Sequence, residues 1–207
     1  MKEIIKESLG RSHSYKKYRN IVTSLLAEGK ASGSLQSDDM THYTLLNETR
    51  MNRLEKTIEI AKETADALQN LKQDYIWLVI SEGWCGDAAQ IVPVLSMMAE
   101  TSSKIDMKVA FRDENDELMN LFLTNGSRSI PKLIIIKKEN NKVVADWGPR
   151  PKGASDLIKN YKLQHGTIDD QAKTDLQLWY LHDKGFSTQD EIVKIMNDLE
   201  QEPTQSL

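Results

Sequence analysis

The stretch Tyr75–Leu95, YIWLVISEGWCGDAAQIVPVL, decides how the rest of the chain is read. Ile76–Ile80 is short, rich in β-branched and aromatic residues and apolar on both alternations, the pattern of a strand buried on both faces. The run turns at Gly83-Trp84 into Cys85, the only cysteine of the chain. A helical pattern then continues toward Glu100 and carries Pro93, which removes a backbone hydrogen bond and predicts a kink. A cysteine at a strand-to-helix junction meets free backbone N–H groups and the positive end of the helix dipole. Both favour a thiolate, so Cys85 is a candidate nucleophile.

Downstream, Met107–Arg112 reads as a second strand, Asp116–Leu123 as a short helix and Lys132–Lys137 as a third strand. Asn140-Asn141 supplies a hairpin turn into Val143–Trp147, so the last two strands are antiparallel neighbours. Gly148–Gly153, GPRPKG, ends the sheet, and Ala154–Leu163 carries a helix. Leu176, Trp179 and Tyr180 then form an apolar stripe ending at Gly185. Ser187 or Thr188, with Asp190 or Glu191 three residues on, resembles a capping arrangement for Ile192, Ile195, Met196 and Leu199.

Upstream, Tyr15, Tyr18, Val22, Leu25 and Leu26 recur at helical spacing, with Ser14 as cap and Gly29 as stop. Asp38 and Asp39 are cap candidates for a further helical stretch, with a break expected near Asn47–Asn52 and a second helix over Asn52–Leu71. The order is helices, then βαβαββα, then helices. It implies an α/β core with a mixed sheet and helical additions at both ends.

The 207 residues suffice for one well-buried domain with additions. A hydrophobic fraction of 39% with 28% charged residues and 5 prolines describes a globular rather than a disordered chain. The net charge of −4 leaves no basic footprint for nucleic acid or an anionic membrane. The N-terminus, MKEIIKESLGRSHSYKK, lacks the apolar core of a secretory signal, and no apolar run exceeds strand length, which predicts a cytoplasmic location. One cysteine rules out an intramolecular disulfide. The four histidines, His13, His42, His165 and His182, are scattered and suggest no metal site with Cys85.

In this order and spacing the chain resembles the thioredoxin superfamily. The resemblance is carried by Trp84-Cys85-Gly86-Asp87-Ala88 at a helix start, Pro93 eight residues after the cysteine, Ile130-Pro131 before a strand, the 132–147 hairpin and Gly148. It covers roughly Asn52 to Leu163. It implies a three-layer thioredoxin-like domain over 52–164, an N-terminal helical extension over 1–51 and a C-terminal one over 165–207. It also implies a cis peptide at Ile130-Pro131 that turns the Ile130 backbone toward the cysteine to pair with an extended substrate.

Two positions depart from the family pattern W-C-G-P-C: Asp87 replaces proline and Ala88 replaces the second cysteine. Without a resolving thiol, a mixed disulfide on Cys85 is not released internally, which excludes the usual dithiol cycle. Val79 likewise replaces the buried acid that serves the missing cysteine. The resemblance therefore implies a single-cysteine thiol-disulfide oxidoreductase, with Cys85 catalytic and Trp84, Gly86, Asp87, Ile130 and Pro131 binding the substrate. Its partners would be protein or small-molecule thiols and disulfides, resolved by an external thiol, with no cofactor or metal.

The helix terminus, partial exposure, and Arg128 and Lys132 near the cis-proline loop are expected to lower the thiol pKa. Asp87 opposes them by about a unit or less. The alternative from another class is a non-catalytic binding module using the cis-proline face. A third reading, an iron-sulfur cluster shared by a glutaredoxin-like dimer, is disfavoured by Ala88 and Asp87, where that motif has serine and an aromatic residue.

Overall fold

The structure is a computed structural model and describes residues 1–201; residues 202–207 of the expected C-terminal extension lie outside the described residues. Its centre is β1 (Tyr75–Ser81), every residue of which is buried. The continuous apolar run is what a strand needs when it has neighbours on both edges and helices over its faces. β2 (Ile105–Phe111) pairs with it in parallel and β3 (Lys132–Lys137) antiparallel, and β4 (Lys142–Trp147) pairs antiparallel with β3, giving the order β2-β1-β3-β4. The β3–β4 turn is closed as expected by Asn140, whose Oδ1 accepts from Lys142 N at 2.9 Å, and by Asn141 at φ 54°.

The helices are α1 (Lys2–Arg11), α2 (Tyr15–Ala27), α3 (Asp38–Thr57), α4 (Lys62–Gln69), α5 (Gly86–Glu100), α6 (Asp116–Leu121), α7 (Lys152–His165), α8 (Asp170–Asp183) and α9 (Phe186–Gln201). α5 is buried at 12 of its 15 positions. A helix that is apolar all round must be covered all round. Here β1 and β2 lie against it, and α3, α4 and α9 also pack on it. The helices outside the sheet's own connections, α3, α4 and α9, therefore complete the core rather than hang from it.

Ser14 caps α2 as expected, its Oγ accepting from Lys17 N at 3.3 Å, and Gly29 follows the helix end at φ 71°. Three local expectations fail, and one helix was not foreseen. The cap of α3 is Ser37, whose Oγ accepts from Met40 N at 3.2 Å, in place of Asp38 or Asp39. α3 runs unbroken through Asn47–Asn52 and stops at Ile58, because its polar residues there find tertiary partners. Arg19 of α2 reaches Glu48 at 2.7 Å, Asn52 at 2.6 Å and Glu55 at 3.0 Å, and Asn47 Nδ2 donates to Gly83 O at 2.9 Å. The α9 cap is Asp183, which accepts from Ser187 N at 3.1 Å, in place of a Ser187 or Thr188 capping box. α1 was not expected. It precedes His13, whose backbone exchanges hydrogen bonds of 2.8 and 2.7 Å with Val109, occupying the open edge of β2.

Among the described residues, no helix is long and apolar enough to cross a membrane.

Candidate functional site

The loop from Glu82 to Cys85 leaves the end of β1 and delivers Cys85 as the N-cap of α5. Three connections hold it. Ser32 Oγ accepts from Gly83 N at 2.8 Å and donates to the Glu82 carboxylate. Asp113 N donates to the other Glu82 oxygen at 3.0 Å. Asn47 takes the Gly83 carbonyl from the α3 side. Burial pushes the Glu82 carboxyl up to about 7, with Asp113 adding to the rise and its hydrogen bonds and Arg112 opposing it.

Cys85 is 8% exposed, so the partial exposure expected from its position at a turn is largely withdrawn. Its thiol donates to Ile130 O at 3.3 Å. Burial, then the Asp87 carboxylate, push the thiol pKa up to about 12, although the Ala88 and Asp87 amides and Arg150 favour the thiolate. The expected help from the helix terminus is present, but removal from water outweighs it. Neither expected cation acts on the sulfur: Arg128 pairs with Asp116, and Lys132 with Asp146 at 2.9 Å.

Arg150, in the loop after β4, is the cation that lies near Cys85, and it is bound to Asp87. Arg150 Nε and Nη2 meet Asp87 Oδ1 and Oδ2 at 2.9 and 2.6 Å, and Tyr180 OH of α8 donates to Oδ1 at 2.8 Å. A bidentate arginine fork and a tyrosine hydroxyl occupy most of what a carboxylate can accept. Asp87 therefore fastens α8 and the β4–α7 loop to the start of α5. Burial and the same carboxylate raise the Tyr180 hydroxyl well above its ordinary value.

The Ile130–Pro131 and Gly148–Pro149 peptide bonds are cis. Ile130 and Pro131 are buried, and the Ile130 carbonyl is occupied by the Cys85 thiol. Trp84 is half-buried, with the Arg112 guanidinium 4.8 Å from its ring centroid.

Above this floor lies a groove of about 410 Å³ lined by Trp84, Cys85, Gly86, Asp87 and Arg150, by Met40, Tyr43 and Arg50 of α3, and by Lys173, Leu176 and Gln177 of α8. The volume falls in the range of small-molecule sites. Trp84, Cys85, Gly86 and Asp87 are thus brought together on one groove, whereas Ile130 and Pro131 do not line it. Another cavity, of about 320 Å³ and lined in part by Leu54, Ile58, Leu181 and Phe186, contains none of these loop residues. Among the described residues, no group of three or more His, Cys, Asp or Glu side chains is placed to hold a metal ion.

Sequence reasoning missed Glu82, Arg150, Tyr180, Arg50 and Gln177. Glu82 carried a signal, an acid ending an apolar strand. So did Arg150, in the loop that follows the last strand on the cysteine's side of the sheet. Tyr180 carried only the signal of an apolar stripe, with nothing to connect it to Asp87. Arg50 and Gln177 carried none, because only the folding of α3 and α8 around the loop brings them to it.

A mixed sheet with a cysteine at the N-terminus of its central helix, facing a cis-proline loop, defines a thioredoxin-like protein. The chain belongs to the thioredoxin family, whose model matches residues 33–162. No match is found among curated proteins. Two solved structures share the fold: a Pseudomonas aeruginosa protein of unknown function and an HIV epitope scaffold. The first is 14% identical with a TM-score of 0.55, and alignment covers 90% of this chain and 99% of that one. The scaffold is 17% identical with a TM-score of 0.52 and the same coverage of both chains.

Proposed function

We propose that this thioredoxin-fold protein is a binding module that takes a small molecule into the groove over Trp84, Cys85 and Gly86, with Cys85 as a neutral thiol on the floor. The supporting observation is the groove itself, whose walls come from both extensions and whose floor is the loop that in dithiol relatives carries catalysis. The thiol favours binding over exchange. With burial pushing its pKa up to about 12, the thiol stays protonated at neutral pH. Ala88 supplies no second sulfur, and Asp87 repels a thiolate while being held in place by Arg150 and Tyr180.

A second reading, single-thiol exchange, draws support from the Ala88 and Asp87 amides that stabilise a thiolate. In that step the Cys85 thiolate attacks one sulfur of an incoming disulfide, the S–S bond breaks, and the distal sulfur leaves as a thiolate. An external thiol then releases the protein.

Mass spectrometry after incubation with 2-hydroxyethyl disulfide at pH 7.5 separates the two readings. Binding without exchange predicts unmodified protein. An adduct that forms within minutes and is absent in Cys85→Ser would replace the first reading with the second.

A further inference from the structure

The groove has one feature that an apolar pocket does not need. Arg50 is half-buried on α3, and its guanidinium donates to Asn47 Oδ1 at 2.8 Å. Every other arginine facing the Cys85 loop is matched: Arg150 with Asp87, and Arg112 with Asp113. Among the described residues Arg50 has no carboxylate within ion-pair distance. Burial and the neighbouring Arg53 accordingly press its pKa below the ordinary value. A guanidinium carries five N–H donors, and the Asn47 amide satisfies only part of that capacity. Asn47 is itself tied to Gly83 O, so Arg50 is held against the Cys85 loop by a buried amide.

A second donor converges on the same point. Gln177 of α8 accepts from Gln90 Nε2 at 2.7 Å through Oε1, which leaves its own Nε2 as the end facing Gly86. A Cβ built on Gly86 would lie 3.6 Å from Arg50 Nη1 and 3.7 Å from Gln177 Nε2. Two donors from opposite extensions thus flank one position directly over the loop. Around it stand Trp84, Tyr43, Met40 and Leu176, flat and flexible apolar surfaces, with Lys173 at the rim. The one carboxylate on the lining, Asp87, is already paired with Arg150.

We propose that the ligand of this groove is a small organic anion: a carboxylate seated between Arg50 and Gln177 over Gly86, with a flat or branched apolar body against Trp84, Tyr43 and Leu176. The inference rests on the groove being a ligand site and adds its selectivity. The charge and the second acceptor oxygen of a carboxylate would supply the preference, since the uncharged amide keeps the apolar contacts and one carbonyl acceptor for Arg50 but presents an N–H donor where the carboxylate has its other oxygen.

The test uses ¹H–¹⁵N NMR of the full chain at pH 7.5 and fixed salt, titrated with 3-phenylpropionate and with 3-phenylpropanamide. The Trp84 indole and Gly86 amide resonances are the readout. The carboxylate is expected to bind at least ten-fold more tightly than the amide, and Arg50→Gln to bring the ratio of the two affinities close to one. Equal affinity of the wild type for the two probes would overturn the anion inference and leave the groove standing. No shift at Trp84 or Gly86 with either probe would overturn the groove reading, and this inference with it.

Discussion

Glu82→Gln is expected to stabilise the protein above neutral pH and to do so far less in acid. The side chain is fully buried, between Ser32 and the Asp113 amide, at the point where the Cys85 loop leaves β1. Its carboxyl is raised from 4.5 to about 7, so the folded state holds this proton more tightly than the unfolded chain does. Below about pH 4.5 the acid is neutral in both states and costs nothing. As pH rises from there through 7, the unfolded chain ionises first, and the folded state loses stability until the group is charged in both. Two and a half units at 1.36 kcal/mol each set this loss at about 3 kcal/mol. Glutamine preserves the shape, can accept from the Asp113 amide and can donate to Ser32 Oγ, whose one remaining lone pair permits it. Urea denaturation of wild type and Glu82→Gln from pH 4.5 to 8.5 reads the difference directly, because every other titrating group cancels in the subtraction. The variant should gain about 3 kcal/mol on the wild type across that interval, most of it between pH 5 and 7. Parallel stability profiles would refute the reasoning, for they would mean that Glu82 titrates as an ordinary solvated acid.

Asp87→Asn leaves the largely buried Arg150 without its countercharge and should destabilise the fold by about 2–3 kcal/mol in urea denaturation, somewhat below the loss for a fully buried pair. The same variant should also lower the Cys85 pKa, read by the pH dependence of iodoacetamide alkylation, because Asp87 is the second cause of its rise. Gly148→Ala is expected to cost roughly 3 kcal/mol or more in the same denaturation assay. Its φ is +119°, and an added Cβ would collide with the Pro131 carbonyl oxygen, a backbone atom with no room to yield.

The parts of the fold that depend on local pattern are legible in the chain. β3 begins and ends at the expected residues, Lys132 and Lys137, because an unbroken LIII run between charged ends admits one strand and one register. β1 and the start of α5 are equally plain, since the apolar run and Gly83-Trp84 mark both boundaries. What depends on distant partners is not. The continuity of α3 is decided by Arg19, an α2 residue that no periodicity connects to Glu48 and Asn52. The position of the cysteine was readable, but its ionisation was not. Sequence places Asp87 two residues away and a helix end beneath the sulfur, and these nearly cancel. The deciding effect is burial, which comes from packing that a sequence does not display. Arg50 and Gln177 are the extreme case, surface-like residues on two helices that become the walls of one groove only when α3 and α8 pack around the loop.

The most direct measurement is the ionisation of the single thiol. Wild-type protein titrated by thiolate absorbance at 240 nm, with Cys85→Ser subtracted, should show no inflection between pH 6 and 9.5, the behaviour of a thiol held near 12 by burial. An inflection at or below about 8.5, where an unperturbed cysteine titrates, would contradict the neutral-thiol groove and restore Cys85 as a working nucleophile.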